Sequence, residues 1–194
     1  MLFLFFDTET TGKALNFKAP VTNIDNWPRL VQLGFILCQD SYENKVCEGD
    51  IIIRPDGFLI PKSATDIHGI SHEKALNEGV EISGVLNQFS DLIEKTDYLV
   101  GHNLGFDKPV IGAEMIRYGF NESLIMRKPS LDTMLMSTNF CQIPGPYGYK
   151  WPKLSELHTK LFNKEFDNAH NAFADIEATA KCFFELVKIG IIKL

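Results

Sequence analysis

A continuous run of apolar residues opens the chain and ends at two acids. All residues of Leu2–Phe6 are apolar, and Thr11-Gly12 follows shortly afterwards as a turn signal. A short run of this kind is typical of a strand that is buried on both faces. Asp7 and Glu9 come directly after it, and residues two apart on an extended chain point to the same side. We therefore predict that the two carboxylates project together from the end of a core strand.

Hydrophobic patterning along the rest of the chain predicts two more early strands, followed by strands and helices in alternation. Further strands are expected at residues 30–37, 46–53 and 98–101, the first two as an antiparallel meander. Apolar residues at helical spacing predict helices over residues 81–95, from about 104 to 118, from 131 onwards, over 154–162 and in the last segment from Ile176 to Val187, with a further short helix after Ser71.

Polar residues with possible chemistry stand at the junctions of these elements. Asp107 falls in the first turns of the helix that Asn103 is expected to cap, where a helix N-terminus stabilises a carboxylate. Asp175 lies near the start of the last helix, and His170 lies in the loop before it. Taken singly, each position has an ordinary structural explanation. The carboxylates of Asp107 and Asp175, together with those of Asp7 and Glu9, supply the hard oxygen ligands that suit magnesium or manganese.

Composition favours one soluble, cytoplasmic domain. The 194 residues predict a single domain spanning 1–194, with 45% hydrophobic residues to build its core. We expect no membrane span and no signal peptide. The four cysteines lack metal-type spacing, and buried thiols suit a reducing cytoplasm. A net charge of -6 argues against a broad basic surface that binds long duplexes. It leaves room for a small site that binds the end of a strand through metal ions.

Two segments lack clear periodicity. The long loop 13–29 contains Trp27, which could stack on a base but is more typical of a packing anchor. The loop 143–152 is dense in aromatic residues and a cation (Tyr147, Tyr149, Lys150 and Trp151). Interleaved aromatic and cationic residues serve single-strand binding, but the same rings could pack onto the domain. The sequence leaves both interpretations of this loop open.

Three segments of the chain, in this order, resemble the motifs of the DEDD exonucleases. They are Phe6–Gly12, Val100–Asp107 and His170–Asp175. The resemblance is to the histidine branch (DEDDh), typified by the proofreading epsilon subunit of bacterial DNA polymerase III. The tyrosine branch would place Tyr at position 171, where this chain has Asn171 directly after His170. All five chemical residues of the family are present: Asp7, Glu9, Asp107, His170 and Asp175.

The resemblance implies a fold and a reaction. The fold is α/β and ribonuclease-H-like, a mixed five-stranded sheet flanked by helices. The reaction is the stepwise release of nucleoside 5′-monophosphates from a 3′ end by two divalent ions, Mg²⁺ or Mn²⁺. By resemblance, Asp7 bridges the two ions and Glu9, Asp107 and Asp175 complete their shells. His170 takes the proton of the attacking water.

The resemblance also places substrate contacts. The backbone around Thr10 and Thr11 receives the terminal nucleotide, whose 3′-hydroxyl is bound by Glu9. His68 and Ile70 lie near the terminal base, and Asn103 lies near the scissile phosphate.

Single-stranded DNA is the favoured substrate. Two alternatives stay open: an enzyme of the same family that trims RNA or short oligonucleotides, and a non-catalytic nucleic-acid-binding module. A role beside a polymerase or in repair is an open possibility, although we expect no polymerase region in this chain.

Overall fold

Strands and helices alternate through most of the chain. The structure is a computed structural model that describes residues 1–164 and 172–194. Its strands are β1 (Leu2–Thr10), β2 (Leu30–Gln39), β3 (Lys45–Ile52), β4 (Tyr98–Gly101), β5 (Ser130–Asp132), β6 (Pro144–Gly145) and β7 (Gly148–Tyr149). Its helices are α1 (Lys62–His68), α2 (His72–Glu78), α3 (Ile82–Lys95), α4 (Leu104–Arg117), α5 (Ser123–Met126), α6 (Thr133–Cys141), α7 (Leu154–Phe162) and α8 (Ala172–Lys188), with a short 3₁₀ turn at Ile24–Asn26.

The main sheet has five strands in the order β3-β2-β1-β4-β5. β1 pairs antiparallel with β2, and β2 pairs antiparallel with β3. β1 pairs parallel with β4, and β4 pairs parallel with β5. The predicted mixed five-stranded sheet is therefore confirmed. Because β1, β4 and β5 run in one direction, their carboxyl ends meet at one edge of the sheet. The acidic residues that the sequence analysis singled out lie at this edge.

The side chains of β1 alternate between two hydrophobic clusters. Phe3 and Phe5 pack against Phe183 of α8, with ring centroids 5.2 and 5.4 Å apart. Leu4 and Phe6 belong to the cluster on the opposite face, where the Phe6 ring lies 5.5 Å from that of Phe89 in α3. The central strand is thus covered on both sides, as its continuous apolar run predicts.

Short elements account for most differences from the sequence-based expectation. β5 was not predicted, because three residues are too few to show a periodicity. α1 was not predicted either, since its sequence KSATDIH carries few apolar residues. The loop 143–152 contains a small hairpin made by β6 and β7, whereas the sequence indicated only turns.

Two findings bear on the expectations drawn from composition. No helix in residues 1–164 or 172–194 is long and apolar enough to cross a membrane. All four cysteines are free thiols, and Cys38, Cys141 and Cys182 are buried. Burial raises the pKa of the Cys38 thiol to about 11 and that of Cys182 to about 12, so both stay protonated near neutral pH.

Candidate active site

Asp7 and Glu9 lie within β1, which continues to Thr10. They continue the series of odd-numbered positions that begins with Phe3 and Phe5, so they face the side of the sheet covered by α8. The strand is bulged between Glu9 and Thr10, where its pairing with β2 shifts by one residue. The sequence therefore predicted both the shared direction of the two acids and their place at the end of the strand, which finishes at Thr10 before the Thr11-Gly12 turn.

Asp107 reaches the same region from the first turn of α4 and is only 3% exposed. The hydroxyl of Thr8 donates a buried hydrogen bond of 2.6 Å to its Oδ1. Burial raises the pKa of Asp107 to about 7, and the hydrogen bond from Thr8 opposes that rise. Thr8, which stands between Asp7 and Glu9 on β1, is thus hydrogen-bonded to Asp107 of α4.

Asp175 joins this group from the first turn of α8. Burial raises the pKa of Asp7 well above its ordinary value, and the negative charges of Asp107, Glu9 and Asp175 raise it further. Burial raises the pKa of Glu9 to about 8, with Asp175 and Asp107 adding to the rise. Four carboxylates from three elements therefore lie within electrostatic range of one another, in surroundings that disfavour their charge.

The described residues do not form a metal site as they stand. Within residues 1–164 and 172–194, no three His, Cys, Asp or Glu side chains are arranged closely enough to hold a metal ion. The carboxylates can still raise one another's pKa at this spacing. Repulsion between charges acts over longer distances than the metal–oxygen bonds of a coordination site, which are about 2.0–2.6 Å. The donors themselves, four carboxylates at the end of a strand and at two helix starts, are of the type that binds Mg²⁺ or Mn²⁺.

The start of α4 is capped differently from the prediction. Asn103 stands at the N-cap position with φ +87°, and its side chain makes no capping hydrogen bond. The backbone N–H groups of Asn103 and Leu104 donate instead to the carboxylate of Asp132, at 3.1 and 2.8 Å. Left-handed backbone is uncommon for a residue other than glycine and is often found at functional sites. The exposed Asn103 side chain is thereby released from the capping role.

Asp132 also caps the helix that follows it. Its Oδ1 accepts hydrogen bonds from the N–H groups of Met134 at 3.0 Å and Leu135 at 3.4 Å. One carboxylate therefore serves the N-termini of both α4 and α6. The second role is local, because Asp132 directly precedes α6, whereas the first needs a contact between residues about thirty apart in the chain.

A cavity of about 390 Å³ opens beside Glu9. It is lined on one side by Thr8, Glu9, Thr10, Gly12 and Lys13, and on the other by residues of α1 and by Phe106. His68 contributes to this lining, and burial lowers its pKa. Two of the predicted substrate-binding residues, Thr10 and His68, therefore meet at one cavity next to the acids.

Two other predicted substrate contacts are placed differently. Ile70 is 3% exposed and packs with Val31 and Ile60 in a small cluster, so it does not reach the cavity as expected. Ile67, one residue before His68, is largely exposed and lines the cavity instead. The hydroxyl of Thr11 accepts a hydrogen bond of 3.0 Å from the N–H of Arg29, which ties it to the start of β2.

The sequence profile of the Exonuclease (RNase_T) family matches residues 4–183. The chain belongs to the Exonuclease family. This match spans all three segments on which the resemblance to the DEDD exonucleases rests, and it bears out that resemblance at the level of the family.

Curated relatives of this Exonuclease-family chain are much longer proteins. The chain is 25% identical over 191 residues to the 3′-5′ exonuclease DinG of Bacillus subtilis, covering 96% of this chain and 18% of that protein. It is 23% identical over 186 residues to the PolC-type DNA polymerase III of Pediococcus pentosaceus, covering 96% of this chain and 11% of that protein. The chain thus spans less than a fifth of either relative.

Solved structures share the fold of this family member. Escherichia coli exonuclease I in complex with a dA16 oligonucleotide superposes with a TM-score of 0.76 at 23% identity, covering 96% of this chain and 41% of that one. Exonuclease I from Methylocaldum szegediense gives a TM-score of 0.75 at 19% identity, covering 97% and 41%. At these identities the likeness establishes the fold, and the predicted ribonuclease-H-like α/β class is confirmed.

The long loop of this Exonuclease-family chain is attached to α4, the helix that carries Asp107. Trp27 is 3% exposed, so it is the packing anchor that the sequence favoured. The Arg29 guanidinium donates from Nε to Oε1 of Glu114, a fully buried residue of α4, at 2.8 Å. Arg117 of the same helix donates to the carbonyl of Trp27 at 2.7 Å. These contacts fix the end of loop 13–29, at Trp27 and Arg29, against α4.

His170 lies outside the described residues, so its expected role is a prediction from the sequence alone. The other histidine of the motif segments, His102, is placed away from that role. Its Nε2 lies 3.0 Å from the Pro152 carbonyl, which can only accept, and its Nδ1 lies 2.9 Å from the Thr133 hydroxyl. Burial lowers the pKa of His102, consistent with a neutral ring that donates from Nε2. His102 therefore holds the segment after β7 against the end of β4.

Proposed function

We propose that this chain is a metal-dependent 3′–5′ exonuclease that releases nucleoside 5′-monophosphates from single-stranded DNA. The proposal rests on the cluster formed by Asp7, Glu9, Asp107 and Asp175: burial raises the pKa values of the first three, and repulsion within the cluster adds to the rise for Asp7 and Glu9. Such a cluster is unfavourable in a folded protein unless cations neutralise it. Membership of the Exonuclease family supplies the class of reaction.

The four carboxylates would hold the ions. When bound, two Mg²⁺ or Mn²⁺ ions supply Lewis-acid stabilisation of the attacking and leaving oxygens of an in-line displacement. Asp7 is flanked by the other three acids in its electrostatic surroundings, which suits a ligand shared between two ions. Asp107 is buried and hydrogen-bonded to Thr8, so its carboxylate is presented from a fixed position.

His170 is the proposed general base of this histidine-branch (DEDDh) enzyme. The proposal is supported by its position five residues before Asp175 in the third motif segment. An imidazole with a pKa near neutrality can accept the proton of the attacking water without a large energetic penalty.

The cavity beside Glu9 is the proposed site of the terminal nucleotide. Thr10 and His68 line it, and Ile67 presents an apolar surface that a base can contact. Glu9 stands between this cavity and the other acids, where it can accept a hydrogen bond from a 3′-hydroxyl. The Asn103 side chain, released from capping, is proposed to contact the scissile phosphate.

Single-stranded DNA is favoured over RNA because a structural relative, E. coli exonuclease I, is described in complex with dA16 and dT13 oligonucleotides. Trimming of RNA or short oligonucleotides is the second candidate. A non-catalytic module is disfavoured, since all five chemical residues are retained. The free thiols support a reducing compartment such as the cytoplasm.

A gel time course tests the proposal. The substrate is a 5′-labelled DNA oligomer, incubated with the purified chain in Mg²⁺, in EDTA, and with the Asp175→Asn variant. We expect shortening from the 3′ end only with Mg²⁺ and intact Asp175. Faster shortening of a matched RNA oligomer would favour the second candidate. No cleavage of either substrate would overturn the enzymatic assignment.

A further inference from the structure

The hairpin of β6 and β7 presents aromatic rings to solvent. Its strands pair at Pro144 with Tyr149, and the N–H of Lys150 donates to the carbonyl of Ile143 at 2.9 Å. Tyr147 is fully exposed, Tyr149 is 50% exposed and Trp151 is 63% exposed. Each of these three side chains is therefore at least half exposed, which favours single-strand binding among the two interpretations that the sequence left open.

This hairpin is fixed close to the candidate active site. His102 follows β4 directly, and its Nε2 lies 3.0 Å from the carbonyl of Pro152, the residue after Trp151. Asn103, which starts α4, is the next residue of the chain. The aromatic segment is therefore tied to the edge of the sheet where the carboxyl ends of β1, β4 and β5 meet.

The charge of the segment also differs from that of the whole protein. Residues 143–153 contain Lys150 and Lys153 and no acid, although the chain has a net charge of -6. Lys150 forms an ion pair of 2.6 Å with Glu156 in the first turn of α7, which fixes the position of its ammonium group beside the hairpin. Exposed aromatic rings interleaved with lysines suit the bases and phosphates of a single strand.

We propose that Tyr147, Tyr149 and Trp151 form a stacking surface for bases of a single strand, on the 5′ side of the nucleotides held at the carboxylate site. The proposal rests on the proposed function, which places the 3′ end of that strand at Glu9 and Asp107. Stacking on aromatic side chains tolerates any base, so the surface binds single strands without reading their sequence. It extends the binding site along the strand and adds affinity for long substrates over short ones.

The test compares the binding of two oligomers of equal charge to the 194-residue chain in EDTA, where hydrolysis is blocked. One is an oligothymidylate of about 16 nucleotides, the upper end of single-strand site sizes. The other keeps the last three thymines but carries abasic sites elsewhere. Affinities are measured by fluorescence anisotropy for the wild type, for the triple variant Tyr147→Ala/Tyr149→Ala/Trp151→Ala, and for Val46→Ala, an exposed apolar position on β3.

We expect the wild type and Val46→Ala to bind the full oligomer at least about fivefold more tightly than the abasic one. The triple variant should bind the two alike, within about twofold. An unchanged preference in the triple variant would overturn the proposal. So would equal binding of both oligomers by the wild type, the result expected if the hairpin docks another protein.

Tryptophan fluorescence gives a second measurement. The chain has two tryptophans, and Trp27 is buried, so quenching by thymine should come from Trp151 and disappear in Trp151→Phe. Quenching that persists in this variant would count against stacking on Trp151. Both measurements are independent of catalysis. If the chain binds the full oligomer more tightly than the abasic one but cleaves nothing, the proposed function alone is rejected. If the chain is an active exonuclease that binds both oligomers equally, only the stacking surface is rejected.

Discussion

The Thr8 hydroxyl donates a hydrogen bond of 2.6 Å to Oδ1 of Asp107, ninety-nine residues away in the chain. Thr8 stands between Asp7 and Glu9 on β1 and, as the alternation of a strand requires, points to the opposite side. β1 therefore contributes acids on one side and fixes the acid of α4 from the other. The alternation that aligns Asp7 with Glu9 also explains why the residue between them meets α4.

Loss of the hydrogen bond between Thr8 and Asp107 should weaken the binding of Mg²⁺ at the active site. Thr8→Val keeps the shape of the side chain but leaves a buried Asp107 oxygen without its donor. Partners of metal ligands contribute about 10- to 100-fold to metal affinity or activity. We expect Thr8→Val to raise the Mg²⁺ concentration for half-maximal cleavage within that range, whereas Thr8→Ser stays near the wild type. Equal Mg²⁺ dependence of cleavage in Thr8→Val, Thr8→Ser and the wild type would show that Thr8 does not position Asp107.

Removal of the Asp132 carboxylate should destabilise the protein more than removal of an ordinary helix cap. One cap contributes about 1 kcal/mol, and Asp132 accepts N–H donors from the starts of both α4 and α6. For a domain of this size, Asp132→Ala should lower Tm by about 4–8 °C. The matched control is Ser71→Ala, since the Ser71 hydroxyl caps one helix, α2, by accepting from the N–H of Lys74. Equal losses of Tm in the two variants would contradict the double-cap interpretation.

The sequence predicted most of the long elements and the acids of the site. Burial of a strand or of one helix face gives a recognisable pattern of apolar residues in the sequence. The apolar run before Asp7 and the helical spacing before Lys95 are two such patterns. Asp7 and Glu9 were predicted to point together because their relationship is local. The fold class followed from the motifs, and the described structure agrees with it.

Relationships between distant residues were beyond sequence reasoning. Asn103 was predicted to cap α4 because it precedes the helix, but Asp132 provides the acceptor from the neighbouring strand. Ile70 was expected near the terminal base; it is buried beside Val31 and Ile60, and Ile67 lines the cavity next to Glu9. Both placements depend on tertiary contacts that a local sequence pattern does not show.

The stability of the metal-free protein should depend on the charge of Glu9. Its folded-state pKa is raised from 4.5 to about 8, so the folded state binds this proton more tightly than the unfolded state does. Stability must therefore fall as pH rises from about 4.5 to about 8. In EDTA, Glu9→Gln should melt at the same temperature as the wild type near pH 4 and several degrees higher at pH 8, since about 1 kcal/mol moves Tm by 2–4 °C. A difference in Tm that does not change with pH would contradict this account.

Replacement of His170 should separate proton transfer from metal binding. If His170 is the general base, His170→Ala should reduce the single-turnover rate by about 10²- to 10⁴-fold while Mg²⁺ still protects the fold against heat as in the wild type. Asp175→Asn is the informative comparison, because it removes a charge that acts on both Asp7 and Glu9 and should weaken the protection by Mg²⁺. Loss of that protection in His170→Ala as well would identify His170 as a ligand of the ions rather than as the base.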